Sequence, residues 1–155
     1  RSEVGARALG NRSILANPLF KNMKYRLNAE VKHRENWRPF CPSINDYRYK
    51  DYFGNVQESD FMILAFKIKK KFIKLLPSAV HVDGTARPQV VKKKTNAKYF
   101  DLLKEFEKIT SHPVLINSSF NIQGEPIVNT PSEAIRCFSG TGIDILAIGD
   151  YLIMK

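Results

Sequence analysis

The segment PVLINSSFNIQGEPIV, residues 113–128, is the stretch on which the fold prediction depends. It opens with an apolar run of strand length and returns to an apolar pair after Gly124 and Pro126. Between these runs lie five mostly small and polar residues: Asn117, Ser118, Ser119, Phe120 and Asn121. A buried strand that ends in hydroxyl and amide side chains near a glycine is suited to holding a phosphate, carboxylate or amide group of a small ligand. Such a cluster on its own more often caps a turn, so the rest of the chain decides between the two interpretations.

Composition places the chain among ordinary globular proteins. Its 155 residues fit one domain, and a hydrophobic content of 43% is incompatible with general disorder. The two cysteines, Cys41 and Cys137, form neither a metal-binding spacing nor a disulfide framework, which fits a reducing compartment. No apolar run approaches 18 residues. We therefore expect a cytoplasmic protein without a membrane segment, and the opening at Arg1 rather than a methionine suggests a piece of a longer polypeptide.

The charge of the chain is strongly basic and unevenly distributed. The formal net charge is +10, and residues 1–100 carry all of the positive excess. Such an asymmetry fits nucleic acid, a polyphosphate ligand or an acidic partner domain, and charge alone does not choose among them.

Basic side chains lie at two points in the first part of the chain, one at a predicted turn and one at the end of a predicted helix. Arg7 lies next to a glycine turn, where its planar fork can clamp phosphate or carboxylate. A helix is predicted to begin at Asn17-Pro18 and to bury Met23, Leu27 and Val31, and it ends in a cluster of basic side chains. That cluster comprises Lys32, His33, Arg34 and Arg38. Compensation of the helix dipole explains part of it, but four such side chains in seven residues exceed what capping requires, so anion binding is an equal alternative.

A row of polar side chains spaced by two marks the middle of the chain: His81, Asp83, Thr85 and Arg87. Within a predicted extended segment over residues 79–91 they would point the same way, with valines on the opposite face. The row is either a catalytic or binding edge or a solvent face, and the glycine within it favours the binding edge.

The remaining elements follow from capping and periodicity. Strands are predicted from Ser13 to Ala16 and from Phe61 to Ile68. A second helix begins at Asn96 with an apolar stripe of Tyr99, Leu102, Leu103, Phe106 and Ile109. A capping box at residues 130–133 begins a third helix, and residues 145–154 read as a hairpin on a Gly149-Asp150 turn.

Five motifs, in this order and spacing, closely resemble the C-terminal domain of the O-carbamoyltransferases of nodulation-factor and antibiotic biosynthesis. They are GARALGNRSIL (5–15), MKYRLNAEVKHRENWRPFCPS (23–43), HVDGTAR (81–87), PVLINSSFNIQGEPIV (113–128) and TPSEAIRCF (130–138). The resemblance covers nearly the whole chain. It implies an α/β (α+β) fold of the YrdC-like kind, a twisted mixed β-sheet flanked by helices.

The resemblance also implies a partial reaction. The domain would bind carbamoyl phosphate and ATP, with Mg²⁺ carried on the phosphates, and form carbamoyl adenylate. A metal-containing N-terminal domain of the same polypeptide, absent from this chain, would then pass the carbamoyl group to a hydroxyl of a sugar or antibiotic. Membrane and nucleic-acid partners are not expected.

Site residues are carried over motif by motif. The catalytic set would be Lys32, Arg87 and Ser119. The residues that bind carbamoyl phosphate and ATP would be Arg7, Arg34, Arg38, His81, Asp83, Asn117 and Asn121, and none would bind a metal. We expect these cations to converge with the Ser119 region on a single hollow the size of a nucleotide.

Two alternatives remain from the sequence. YrdC-like domains also occur in tRNA-modifying proteins, so the basic residues 1–100 could serve an RNA- or nucleotide-binding module without catalysis. The domain could also be a docking half that is inert without its partner. A saturable ATP site that consumes carbamoyl phosphate is distinguished from RNA binding by the steep salt dependence of the latter.

Overall fold

A four-stranded mixed sheet forms the centre of the structure, which is a computed structural model that describes residues 3, 5 and 7–155. The strands in the described part of the chain are β1 (Ser13–Ala16), β2 (Cys41–Asn45), β3 (Phe66–Lys67), β4 (Thr85–Ala86), β5 (Gln89–Val91), β6 (Val114–Ser119), β7 (Ile145–Ile148) and β8 (Tyr151–Met154). The central sheet has the order β1-β6-β2-β5. Strand β6 is antiparallel to both of its neighbours, whereas β2 and β5 are parallel. Strands β3 and β4, and likewise β7 and β8, form separate antiparallel pairs.

Helices pack against this sheet. They are α1 (Met23–Arg26), which runs directly into a π-helix (Leu27–Lys32), α2 (Asp46–Phe53), α3 (Lys70–Ile73), α4 (Ala97–Thr110) and α5 (Pro131–Ser139). The mixed α/β fold expected for the family is therefore confirmed. Among the described helices, none combines the length and the apolar character needed to cross a lipid bilayer.

Alternation along β6 divides the core between the two faces of the sheet. Val114 and Ile116 point to one face, where Val114 packs in a cluster with Ile44 of β2 and the aromatic residues of α2 and α3. Leu115 points to the other face and packs against Tyr99 and Leu103 of α4. Full burial of one such side chain contributes about 1.5–3 kcal/mol, so β6 is held on both sides. Its polar carboxyl end is consequently fixed in space.

Several local predictions are confirmed. Strand β1 has the predicted bounds, and the chain ends in the predicted hairpin. The capping box of α5 is formed in both directions, because Thr130 Oγ1 accepts from the Glu133 amide while the Glu133 carboxylate accepts from the Thr130 amide. Asn96 caps α4 through a bond from the Tyr99 amide.

Other local predictions are wrong. The first helix begins at Met23 rather than at Asn17-Pro18, because the Asn17 side chain accepts from the Leu19 amide in a turn. The predicted strand from Phe61 to Ile68 is reduced to the two residues of β3. On α4, Leu102 and Ile109 are 46% and 83% exposed, so the buried stripe is narrower than the periodicity indicates.

The extended segment predicted over residues 79–91 is also wrong. The chain turns at His81, whose carbonyl accepts from the Gly84 amide at 2.9 Å, and Gly84 takes a positive φ of 76°. A strand begins only at Thr85. Val82 is fully exposed at the turn rather than packed on a buried face.

Candidate active site

A polar pocket of about 110 Å³ opens at one end of the central sheet. Three guanidinium groups line it, those of Arg7, Arg34 and Arg87. The polar carboxyl end of β6 contributes Asn117, Ser118 and Ser119. Among the described residues that line the pocket there is no aspartate or glutamate. The electrostatic potential of the pocket is therefore positive, which suits it to binding an anion.

Strand directions explain why residues so distant in sequence meet here. Strands β1, β2 and β5 run in one direction and β6 runs in the other. The chain therefore enters three strands at the same end of the sheet where it leaves the fourth. Arg7, Arg34 and Arg87 lie on the segments that lead into β1, β2 and β5, and Ser119 ends β6. The pocket is thus a product of the sheet topology.

Arg34 is held in place by two contacts. Its Nε donates to Asn28 Oδ1 at 2.7 Å, and its guanidinium carbon lies 4.7 Å from the centre of the Phe40 ring. Asn28 is fully buried and also donates through Nδ2 to the Arg38 carbonyl at 3.0 Å. Burial lowers the pKa of Arg34, and the nearby charge of Arg38 acts in the same direction. A guanidinium fixed and partly desolvated in this way binds an anion more strongly than a freely moving surface arginine.

Lys32 lies behind the pocket rather than in its lining. The side chain is at the end of the π-helix and only 3% of the residue is exposed. Its ammonium donates to the Ser119 carbonyl at 2.8 Å and to the Asn121 carbonyl at 2.7 Å, and it also contacts the side-chain oxygens of both residues. The ammonium therefore ties the π-helix to the turn after β6. These contacts favour a positioning role for Lys32, and the catalytic role predicted for it remains untested.

Burial of this ammonium makes a pH-dependent prediction. Burial lowers the pKa of Lys32 to about 8 from its ordinary value of 10.5, and the charge of Arg34 adds to the effect. Between these values the unfolded chain binds the proton and the folded chain does not, so stability rises with pH. We expect the stability advantage of the wild type over Lys32→Met to grow by up to about 3 kcal/mol from pH 7 to pH 10.5. Urea unfolding of both proteins across this range measures the difference, and a constant difference would contradict the prediction.

Ser119 and Asn121 belong to one hydrogen-bonded turn. Ser119 Oγ donates to Asn121 Oδ1 at 2.7 Å, and Asn121 Nδ2 donates to the Glu125 carbonyl at 2.7 Å. Ser119 lines the pocket, whereas Asn121 does not. The turn thus presents Ser119 to the pocket and uses Asn121 to hold that position.

Three further predicted site residues lie outside the pocket lining. Arg38 pairs with Glu35 at 3.1 Å. His81 Nδ1 lies 2.9 Å from Thr85 Oγ1, and Asp83 Oδ1 accepts from the Thr85 amide at 2.9 Å. The hydroxyl and amide of Thr85 lower the pKa of Asp83, while burial lowers that of His81. Their contacts close the turn that precedes Arg87, which is a different arrangement from the row on a strand face that the spacing predicts.

Several pocket residues escaped the sequence analysis as site residues. Phe40, Cys41 and Met62 supply apolar walls. Burial raises the pKa of the Cys41 thiol, with partial opposition from Arg87, so the thiol is protonated at neutral pH and packs as a small buried side chain. Asn28, which holds Arg34, was also missed, because its place between Lys24 and Lys32 at helical spacing indicates a polar face rather than a buried one.

Gly10 in the first motif allows a close approach between the segment that follows Arg7 and helix α4. A Cβ at this position would lie 2.3 Å from Cδ1 of Tyr99, and the backbone has a positive φ of 115°. Only glycine fits both conditions. The neighbouring Leu9 carbonyl then accepts from Gln89 Nε2 at 3.0 Å, which fixes the segment that carries Arg7.

Sequence comparisons relate the chain to a family of known proteins. The family model described as "Carbamoyltransferase C-terminus" matches residues 1–155. An uncharacterised protein of Methanocaldococcus jannaschii is 44% identical over the whole chain, which covers 26% of that protein. The nodulation protein NolO of Bradyrhizobium diazoefficiens is also 44% identical over the whole chain, which covers 29% of it. Nodulation protein U of Sinorhizobium fredii is 39% identical over 88% of the chain, corresponding to 24% of that protein.

The chain belongs to the carbamoyltransferase C-terminal family. This confirms the resemblance drawn from the five motifs. The chain spans between about a quarter and a third of the length of these curated relatives.

Proposed function

We propose that this chain is the carbamoyl adenylate-forming half of an ATP-dependent O-carbamoyltransferase. One observation carries the proposal, namely the meeting of Arg7, Arg34 and Arg87 in one pocket beside the hydroxyl and amide groups of β6. Both substrates are polyanions, and three guanidinium groups without a competing carboxylate in the described lining suit them. Membership of the family supports the choice of carbamoyl transfer over other reactions of polyanions.

The proposed chemistry has two balanced stages. Carbamoyl phosphate and one water give carbamate and inorganic phosphate. A carbamate oxygen then attacks the α-phosphorus of ATP, the bond to the bridging oxygen breaks, and its electron pair leaves with pyrophosphate. The product is carbamoyl adenylate. Negative charge accumulates on the phosphate oxygens in both stages, and Arg7, Arg34 and Arg87 stabilise that charge.

In this proposal, the turn after β6 orients the substrate. Ser119 is presented to the pocket by its bond to Asn121 and by the buried ammonium of Lys32. We assign Ser119 to direct contact with the substrate, in which its hydroxyl turns from Asn121 Oδ1 to donate to a substrate oxygen, and Lys32 and Asn121 to holding the Ser119 turn in place. His81, Asp83 and Thr85 are assigned to fixing the turn before Arg87.

The pocket is smaller than the nucleotide-sized hollow that the sequence predicts. Pockets for drug-sized ligands occupy about 300–1,000 Å³, whereas this one occupies about 110 Å³. It suits a carbamoyl phosphate-sized group or the reacting phosphates. The adenosine portion of ATP would then lie outside the enclosed part, over the open face of the pocket.

Magnesium does not fit as a protein-held ion in this pocket. Mg²⁺ is usually bound through one or two carboxylates, whereas the described lining offers guanidinium groups, which repel a cation, together with neutral amides, hydroxyls and a thiol. Nowhere in the described residues do three or more His, Cys, Asp or Glu side chains form a metal-binding group. We therefore treat Mg²⁺ only as part of the ATP substrate.

Transfer to an acceptor requires a second site. In our proposal the remainder of a longer polypeptide contributes a metal-containing N-terminal domain that receives the carbamoyl group and passes it to an acceptor hydroxyl. The comparisons are compatible with such a division, because the relatives are about three to four times as long as the segment matched.

Pyrophosphate release tests the proposal. The protein is incubated with ATP and Mg²⁺, with and without carbamoyl phosphate, and pyrophosphate is measured. We expect release that depends on carbamoyl phosphate and saturates with ATP. No release, together with RNA binding that weakens steeply with salt, would overturn the proposal in favour of an RNA-binding module.

A further inference from the structure

Strand β1 is an edge of the central sheet, and part of its backbone points away from that sheet. The Phe120 amide donates to the Arg12 carbonyl at 2.9 Å, so the backbone of Arg12 bonds toward β6. Only alternate residues of an antiparallel strand bond to a given neighbour, so the N–H and C=O groups of Ser13 and Leu15 face away from β6. Within the described part of the chain these groups have no hydrogen-bond partner.

Strand β7 presents a second edge of the same kind. Its pairing in the described structure is with β8, and the Lys155 amide continues that ladder by donating to the Asp144 carbonyl at 3.2 Å. By the same alternation, the N–H and C=O groups of Ile145 and Ala147 face away from β8. They too lack a hydrogen-bond partner among the residues that the structure describes.

Two cavities lie end to end between β1 and β7. The first, of about 240 Å³, is bordered by residues 14–17 on the β1 side and by residues 142–145 on the β7 side. The second, of about 220 Å³, is bordered by residues 11–12 and by residues 146–149. The two strands therefore run in opposite directions along the walls of one groove, which we call the β1–β7 groove. Ile14 and Leu146 belong to the same hydrophobic cluster, so both walls rest on one core.

The β7 wall of the groove is anchored to the helices below it. The Gly142 amide donates to the Glu30 carbonyl at 2.8 Å. Arg26 Nη2 donates to the Gly142 carbonyl at 3.2 Å and to Asp144 Oδ1 at 2.6 Å. A Cβ at position 142 would lie 2.8 Å from the Glu30 Cβ, so glycine permits this close approach. The start of β7 is thus fixed, and the groove is a preformed feature of the fold.

An occupant that satisfies both walls of the groove has to pair along both of its own edges. A strand that already belongs to a folded sheet has at most one free edge, so the edge strand of a second folded copy does not meet this requirement. A single extended segment does. One face of the segment would contact the cluster of Ile14 and Leu146. Its other face would lie level with the exposed apolar face of the hairpin, formed by Ile145, Leu152 and Met154, so an apolar segment fits best.

The described chain begins at one end of the groove. Arg12 Nη2 donates to the Glu3 carbonyl at 2.5 Å, and the Glu3 carboxylate accepts from the Asn11 amide at 3.2 Å. Asn11 and Arg12 both line the groove. A segment just ahead of Arg1 therefore reaches the groove without a long linker, which gives it a high effective concentration there. The family model describes a C-terminus, and the relatives are about three to four times as long as the segment matched, so they have polypeptide to supply such a strand.

We propose that the β1–β7 groove is the docking site for an extended apolar segment of the same polypeptide, immediately ahead of Arg1. The segment runs antiparallel to β1 and parallel to β7, because its end lies beside Arg12 at the beginning of β1. It joins the central sheet and the β7–β8 hairpin into one continuous sheet. Arg7 then lies on the loop between two paired strands. This inference goes beyond the proposed function and does not depend on it.

Amide hydrogen exchange in the full-length polypeptide tests the inference. The wild type is compared with a variant in which about eight residues ahead of Arg1 are replaced by glycine and serine, which keeps the connection but removes the strand. Exchange is resolved to single amides by mass spectrometry. The four outward-facing amides of the groove should exchange at least about a hundredfold more slowly in the wild type, because a paired amide must open before it exchanges. They are those of Ser13, Leu15, Ile145 and Ala147.

The other edge of the hairpin supplies the internal control. The amides of Leu152 and Met154 face away from β7, so they lie outside the groove, and their exchange should be the same in both proteins.

A pair of proline variants keeps the test decisive if the replaced segment prevents folding. Ala147 and Leu152 lie opposite each other in the hairpin, and proline at either position removes an N–H that points away from the partner strand. Ala147→Pro should speed exchange of the Ile145 amide at least about tenfold, because it removes a bond to the docked segment. Leu152→Pro should leave that amide at the wild-type rate.

Two outcomes would overturn the inference. One is fast exchange of the four groove amides in the wild type, or exchange that the replacement leaves unchanged. The other is protection that rises with protein concentration, which would assign the groove to a second copy of the chain. Neither outcome bears on pyrophosphate release, so the proposed function is tested separately.

Discussion

Arg87→Ala is expected to lower carbamoyl phosphate-dependent pyrophosphate release by about a thousandfold. The guanidinium lines the pocket at the entrance to β5, and the described lining supplies no carboxylate that competes for it. Its charge is therefore available to the phosphate oxygens that become more negative during adenylation. The measurement is the rate of pyrophosphate release at saturating ATP and carbamoyl phosphate, together with thermal unfolding to verify that the variant is folded.

Two further variants test whether the effect of Arg87→Ala depends on the shape of the guanidinium group and on its position in the pocket. Arg87→Lys keeps the charge but loses the planar fork, so we expect it to recover only part of the activity. Arg136→Ala removes an exposed arginine that pairs with Glu125 at 3.6 Å and lies outside the pocket lining, and its activity should match the wild type. Equal losses in Arg87→Ala and Arg136→Ala would show that the effect comes from net charge rather than from the pocket.

Lys32→Met is expected to reduce both activity and stability. Methionine keeps the length of the side chain but leaves the Ser119 and Asn121 carbonyls without the donor that holds them. Loss of buried hydrogen-bond partners should lower the free energy of unfolding by about 2 kcal/mol at pH 7. Displacement of the Ser119 turn should lower pyrophosphate release by about a hundredfold.

The joint loss distinguishes positioning from direct contact. If Lys32 acted on the substrate alone, activity would fall while urea unfolding stayed at the wild-type value. Lys21→Met is the matched control, because Lys21 is an exposed lysine just before the same helix. We expect that control to retain wild-type stability and activity.

The sequence predicted the core of the fold because local signals and tertiary packing agree there. The apolar run of β6 is buried on both faces, and the capping box of α5 forms within four residues. Such elements depend on neighbours along the chain. The helix that begins at Met23 was predicted too early and as an ordinary α-helix, because nothing in its periodicity indicates that its second half would be a π-helix.

The pocket was predicted only in part, and for a physical reason. The spacing places Arg87 in a row of alternate polar residues and the family resemblance assigns it to the site, yet it reaches the pocket because a turn at His81 ends before a strand parallel to β2. Pairing between β2 and β5 is a long-range property that spacing cannot reveal. Likewise, Gln89 reaches the Leu9 carbonyl and fixes the segment that carries Arg7 because it lies opposite Ser43 in the sheet. No local pattern in the sequence indicates this register.

The meeting of three strand entrances and one strand exit at a single end of the sheet makes ligand binding inseparable from global folding. A partly folded chain that lacks one of these strands has lost a wall of the pocket and one of its cations. An anion that binds here therefore stabilises the whole cooperative unit by mass action, in an amount set by its concentration relative to its dissociation constant. Hydrogen exchange in the presence of such an anion should slow at the amides that exchange only by complete unfolding, far beyond the residues that touch it.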